Sequence, residues 1–177
     1  MAERSSRRGH GALIAMPISL DAEQVRWILY GGATMTVASR SAAMRPSIGQ
    51  VLGCRVEAGS SRLTLFLLAS RSRAAVADMR AGREVALVMT RSSTTRSLQV
   101  KAPGATEVPM TDPDRDRVRD YIEIVVRQWA QDGVPPAFTR TLLVSGPGPI
   151  LAFEIEMAQA FDQTPGPRAG ESLRGAR

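Results

Sequence analysis

The chain has 177 residues, 44% hydrophobic and 23% charged, which is the composition of one globular domain and excludes a collagenous, low-complexity or wholly disordered protein. No apolar run reaches the roughly 18 residues of a membrane-spanning helix, and the basic start at Arg7 and Arg8 precedes too short an apolar stretch for a secretory core, so a cytoplasmic location and no membrane partner are expected. The net charge of +6 is lopsided: residues 1–101 carry 15 basic and 6 acidic side chains, and 22 of the 23 basic residues in the chain are Arg.

One cysteine (Cys54) and one histidine (His10) remove most hydrolytic and metal chemistry from consideration. A structural zinc site, a His-containing triad and a Cys-His dyad each need more of these residues. The arginine excess has two readings, a compositional bias or a site for an anion that the planar guanidinium suits. Nucleic acid is a third reading on charge alone, but no aromatics are interleaved with the basic cluster to stack bases, so no specific nucleic-acid partner is expected.

In chain order, residues 1–18 read as a flexible arm without apolar period. Ser19 or Asp21 caps a short helix through Tyr30, stopped by Gly31-Gly32. The period then changes to two, with Ala33, Met35 and Val37 alternating in a first strand. A turn at Arg45-Pro46 leads to a strand over Gln50 to Glu57. Gly59-Ser60 joins it as a hairpin to a third strand, Arg62 to Leu68.

Ser70-Arg71-Ser72-Arg73 opens a short helix to Met79 with a stop at Gly82. Strands over Glu84 to Arg91 and Arg96 to Lys101 follow. Asp112-Pro113 starts a helix with Val118, Tyr121, Ile122, Val125 and Trp129 on its buried stripe, closed by Gly133 and Pro135-Pro136. The final strand covers Ile150 to Met157. Residues 161–177 read as an extended tail beyond a domain at 19–160. About six strands outside a regular βαβ alternation predict a mainly β, antiparallel (α+β) fold with flanking helices, closed into a small barrel.

Two clusters stand out chemically. Ser70, Arg71, Ser72 and Arg73 place two hydroxyls and two guanidiniums at a strand-to-helix junction, where a serine cap with solvated arginines and a phosphate site are both consistent with the spacing. On the later strand, Ser97, Gln99 and Lys101 face away from Leu98 and Val100, a polar stripe that either is simply wet or lines a polar heterocycle. Cys54, between Leu52 and Val56, reads as a core thiol, and Trp27 and Trp129 as packing.

These residues carry a resemblance. The stretch LFLLASRSRAAVADMRAGREVALVMTRSSTTRSLQVKA, Leu65 to Ala102, resembles the core of the pyridoxamine 5'-phosphate oxidase-like FMN-binding split barrels: a strand, a Ser-Arg phosphate loop opening a helix, a strand, and a returning strand. The resemblance extends more weakly from Val25 to Phe161.

It implies a split β-barrel and a homodimer with the cofactor at the subunit interface. FMN is the implied cofactor, with a deazaflavin or haem as alternatives. Ser72 and Arg73, with Ser70 and Arg71, are implied at the phosphate, Ser97 and Gln99 near the ring, and Lys101 at the strand's end. Where members of the family often supply a further Arg to the phosphate, this chain has Gly49 and Gln50. It also lacks the C-terminal Arg and His that hold substrate in true pyridoxamine phosphate oxidases. The implied function is a flavoprotein oxidoreductase acting on a small molecule, the alternative a noncatalytic flavin- or haem-binding module. No catalytic residue is indicated.

Overall fold

The computed structural model describes residues 18–173. His10 and most of the predicted N-terminal arm lie outside them.

The elements run α1 (Ala22–Tyr30), β1 (Thr34–Arg40), β2 (Pro46–Val56), β3 (Arg62–Leu68), a 3-10 turn (Ala69–Arg71), α2 (Arg73–Arg80), β4 (Val85–Thr90), β5 (Ser97–Ala102), β6 (Thr106–Val108), α3 (Asp112–Gln131), α4 (Pro136–Val144), β7 (Ile150–Glu156) and β8 (Gln159–Asp162). The strands form one eight-stranded sheet in the order β6-β7-β3-β2-β1-β4-β5-β8, every pairing antiparallel, with no ladder joining β6 to β8. The class is the expected one, antiparallel α+β with flanking helices, but the sheet is split and does not close into the small barrel expected.

Period-two patterning explains the sheet. Met89, Met35, Val51, Leu67 and Leu151 are successive cross-strand partners across β4, β1, β2, β3 and β7. The first four are at most 2% exposed, and they form the middle of the core. The next row, Ala160, Val100, Leu87 and Val37, is fully buried. Their neighbours in sequence must therefore face the other way. Across β2, β1, β4, β5 and β8 that second face carries Gln50, Thr36, Val88, Gln99 and Phe161 in one row, and Ile48, Ala38, Ala86, Lys101 and Gln159 in the next. All ten are at least partly exposed, and Ile48 is 70% exposed.

Several elements differ from expectation. There are eight strands rather than about six, the additions being the three-residue β6 and the four-residue β8. Both are too short for alternation to announce them. Part of the predicted tail is β8, and the segment after it returns to the sheet, with Leu173 N–H donating to the Ala160 carbonyl at 2.8 Å and Ser172 bridged to Phe161. Pro135-Pro136 not only ends the preceding helix but starts α4, because proline fits the first turn, where the missing N–H is not needed.

The start of α3 also differs. Thr111, not Asp112, is the cap, and its hydroxyl accepts from Asp114 N–H while Asp114 reaches back to Thr111 N–H, a closed capping box. Asp114 is fully buried, and both its oxygens accept from Arg55 Nη1 on β2, at 2.7 and 2.8 Å. Burial alone would raise the carboxyl's pKa, but the bonds from Thr111 and the Arg55 charge outweigh it and hold it below the ordinary aspartate value.

This contact ties the start of α3 to the sheet. Asp114→Asn should cost about 2 to 3 kcal/mol at pH 7, toward the lower end for a broken buried pair because Arg55 keeps some solvent. Since the folded carboxyl titrates below the unfolded one, its contribution is complete above about pH 4 and is lost as pH falls through the folded value. Urea unfolding of both proteins from pH 7 to pH 3 should show the difference shrinking with acid.

Candidate functional site

The Ser-Arg loop forms where β3 ends. Leu68 is the last strand residue, Ala69–Arg71 make one 3-10 turn, and Ser72 is the residue before α2. The chain turns sharply enough to point its four polar side chains in three directions.

Ser72 is inward. It is 1% exposed, does not cap α2, and has no hydrogen-bond partner for Oγ. It lies against the backbone of Gly49 on β2, where an added Cβ would stand 2.8 Å from Ser72 Oγ and 3.1 Å from Leu67 Cδ2. Only glycine leaves room for that contact. The position where the resemblance expects an arginine is therefore occupied by the floor under Ser72.

Ser70 Oγ is likewise buried without a partner, against Gly146, where an added Cβ would come within 2.8 Å of it. Arg71 reaches the end of α4, its guanidinium donating to the Leu142 carbonyl and, at 3.2 Å, to Ser145 Oγ. That carbonyl belongs to the last turn of α4, where a cation is favoured by the helix dipole. Arg73 is exposed and lines an open groove with Ser70, Arg80, Pro147 and Gly148. Arg80 in that groove is paired with Glu107 at 2.6 Å.

Beside the loop lies a cavity of about 450 Å³, bounded by Thr34, Thr36, Ile48, Gly49 and Gln50 of the sheet, Arg71, Tyr121 and Trp129 of α3, and Leu142 and Leu143 of α4. No carboxylate lines it. Trp129 Nε1 is buried without a partner, and Tyr121 Oη, which lies against the Met35 backbone, is buried and donates to no acceptor. Among the described residues seven side-chain polar atoms are buried and unpaired, and four of them, on Ser70, Ser72, Tyr121 and Trp129, belong to this loop and cavity.

The β5 residues lie elsewhere. Gln99 shares the transverse row of Gln50, three strand spacings or about 14 Å away. Gln99 Oε1 accepts from Gln163 Nε2 at 3.3 Å. Ser97 Oγ lies 2.9 Å from both Thr90 Oγ1 and the Thr95 carbonyl. Lys101 places Nζ 4.9 Å from the centre of the Phe161 ring and borders a separate 620 Å³ pocket of mostly apolar lining, with Ala38, Met44, Ala86, Pro103 and the Arg40–Glu84 pair. Within one chain Ser70, Arg71, Ser72, Arg73 and Gln50 cluster around the loop and its cavity, and Ser97, Gln99 and Lys101 do not join them.

Tyr121 and Trp129 were legible only as members of an apolar helical stripe. Their polar atoms carry no sequence signal, because the i, i+4 spacing that buries a ring is the same whether or not its N–H or O–H finds an acceptor. Cys54 is the core thiol expected, its pKa pushed by burial to about 12 despite nearby Arg117.

No family model and no curated protein matches this chain. Solved structures do. HupZ of Group A Streptococcus is 16% identical, covering 80% of this chain and 94% of its own, with a TM-score of 0.46. General Stress Protein 26 of Bacillus anthracis is 14% identical over 86% and 96%, TM-score 0.47. A pyridoxamine 5'-phosphate oxidase-related, FMN binding protein of Nostoc punctiforme is 13% identical over 81% and 80%, TM-score 0.43. At these identities each is a likeness of overall fold. Proteins related to pyridoxamine 5'-phosphate oxidase are among the structures this chain is similar to.

The Gly49–Ser72 contact generates a paired expectation. Gly49→Ala should destabilise the protein by about 1 to 3 kcal/mol through overpacking. Ser72→Ala should stabilise the ligand-free protein by about 1 kcal/mol, because it deletes a buried hydroxyl with no partner. Chemical denaturation at neutral pH measures both, and a Ser72→Ala loss of stability would show that the hydroxyl is satisfied.

Proposed function

We propose that the protein binds FMN at the Ser-Arg loop and its adjoining cavity, and acts as a flavin-dependent oxidoreductase on a small molecule. The observation that carries this reading is the Ser-Arg loop at the start of α2, with Arg73 exposed in an open groove, beside a cavity lined by Thr34, Thr36, Gln50 and the Arg71 guanidinium and by no carboxylate. Such a lining suits an acceptor-rich ring attached to an anion.

The chain's own residues divide the work. Arg73, exposed at the start of α2, is available to a phosphate, and Ser70 and Ser72 hold hydroxyls beside it. Arg71 adds positive charge to the cavity wall. The apolar lining from Ile48, Leu142 and Leu143 excludes water from the ring. FMN, when bound, supplies hydride or single-electron transfer, and the protein orients it and sets its polarity. No side chain in the lining is a carboxylate or imidazole able to serve as an ordinary acid or base, which fits chemistry carried by the cofactor.

The second half of the proposal is a homodimer. The outward face of β2, β1, β4, β5 and β8 exposes Ile48 and, in part, Ala38, Ala86, Val88 and Phe161 around the polar groups Gln50, Thr36, Gln99 and Lys101. A second copy seated on this face would bring Ser97, Gln99 and Lys101 of one chain toward the loop and cavity of the other, uniting groups that one chain holds apart. An isologous contact needs only one such face.

Titration with FMN should give saturable binding at micromolar concentration or tighter and a bound-flavin spectrum. A haem Soret band on the purified protein, or no saturable flavin binding, would overturn the reading. Arg73→Ala should weaken FMN by roughly tenfold or more while changing riboflavin little, since a charge-assisted bond to phosphate contributes about 1.5 to 3 kcal/mol. Light scattering should give a dimer mass, and Ile48→Glu should yield monomer with lowered FMN affinity. A wild-type monomer that binds FMN with full affinity would remove the dimer from the proposal.

A further inference from the structure

The 620 Å³ pocket bordered by Lys101 opens on the outward face of the sheet, one cross-strand pair from the cavity beside the Ser-Arg loop: Ile48 of β2 borders that cavity, and its partner Ala38 of β1 borders this pocket. Its volume is that of a small-molecule site, roughly 300 to 1,000 Å³. The hollow has a cause in the sequence. In the outward row Ile48, Ala38, Ala86, Lys101 and Gln159, two alanines stand between an isoleucine and a lysine, and both line the pocket.

The turn before β2 and the residues after β5 bring Met44, Pro46 and Pro103 to its border. Met44 is held at φ +59°, a left-handed conformation uncommon for a residue with a Cβ, and is 66% exposed. Its Sδ accepts from Arg40 Nη1 at 2.7 Å. An unbranched thioether at a rim can fit apolar bodies of different shape.

The polar side chains of the lining are Ser39, Arg40, Glu84, Lys101 and Gln159. Ser39 Oγ donates to the Glu84 carbonyl at 2.8 Å, and Arg40 is paired with the Glu84 carboxylate at 2.7 Å. Glu84 is the lining's one carboxylate, so this pair cancels and two cations against one anion leave the charge of Lys101 over. Lys101 is exposed and has no ion pair among the described residues. Its Nζ sits 4.9 Å from the centre of the Phe161 ring, a contact that places the ammonium without neutralising it. Gln159, its cross-strand partner on β8, is exposed on the same side, and its amide can donate next to the ammonium.

We infer that this pocket is a binding site for an organic carboxylate with an apolar body, the carboxylate held by Lys101 Nζ and the Gln159 amide and the body laid along Ala38, Ala86, Pro103 and Met44. The site goes beyond the flavin reading and does not rest on it. A cationic ligand would be repelled by Lys101, and a neutral one would gain nothing from its charge.

The test is calorimetric titration of the purified protein with three ligands of one shape, cinnamate, cinnamyl alcohol and cinnamylamine, in the wild type, Lys101→Met and Ala86→Phe. Cinnamate should bind saturably, one molecule per chain, and more tightly than the alcohol, with the amine weakest. Lys101→Met should weaken cinnamate by about tenfold, as for one charge-assisted bond lost at an exposed site, and leave the alcohol unchanged. A merely structural role for Lys101 would weaken both alike. Ala86→Phe fills the hollow from a partly exposed position and should weaken acid and alcohol together. No saturable cinnamate binding, equal wild-type affinity for acid and alcohol, or unchanged cinnamate binding in Lys101→Met would each overturn the inference. None of these outcomes bears on FMN titration, so the flavin reading stands or falls separately.

Discussion

The register of the central strands is the constraint from which the rest follows. Met89, Met35, Val51 and Leu67 are nearly inaccessible and lie in one line across four strands. Slipping any of these strands by one residue would turn its whole apolar set outward. Because that is forbidden, the alternate residues are committed to the other face. Gln50, Thr36, Val88 and Gln99 stand in a row there because their neighbours are wanted in the core. Burying the inner face also requires Gly49 to pair with Val37, which sets the spot under which Ser72 must fit.

The Ser-Arg loop is expensive in its present form. A buried polar group without a partner costs about 1 to 3 kcal/mol, and four of them meet at the loop and cavity. Set against a typical total stability of about 5 to 15 kcal/mol, that is a large share to leave unrecovered. The remaining three orphans, on Trp27, Arg83 and Arg91, do not border the cavity. Arg71 shows the complementary case, a guanidinium already satisfied by the end of α4, contributing charge to the wall while fixing the helix that roofs it.

Long, patterned elements were legible from the residues, and short or borrowed ones were not. Alternation at Leu98 and Val100 is forced by one-sided burial and can be read directly, whereas β3 is buried on both faces, Thr64 and Phe66 as well as Leu63, Leu65 and Leu67. β6 and β8 have three and four residues, and their pairing to β7 and β5 depends on partners far away in sequence. The Thr111 cap was hidden by the more obvious Asp112-Pro113, because choosing between them depends on Asp114 finding Arg55 across the fold. At the site, the hydroxyls and guanidiniums of residues 70–73 could be named as a cluster, yet their directions could not. A one-residue change in the 3-10 turn would redistribute them among core, α4 and solvent. Trp129 was assigned to packing, and it does pack. What its ring nitrogen lacks becomes visible only when every neighbour is in place.

The distribution of the site residues is also what the proposed dimer rests on. The sheet places Gln50 and Gln99 on one face but three strand spacings apart, a separation set by backbone hydrogen bonding and not adjustable by side-chain motion. Both rows of that face mix alanine, valine, isoleucine and phenylalanine with amide and hydroxyl groups. If a ligand at the Ser-Arg loop is to meet β5 chemistry at all, that chemistry has to arrive from outside the chain. The geometry that forbids the contact within one copy is therefore also the physical case for the second.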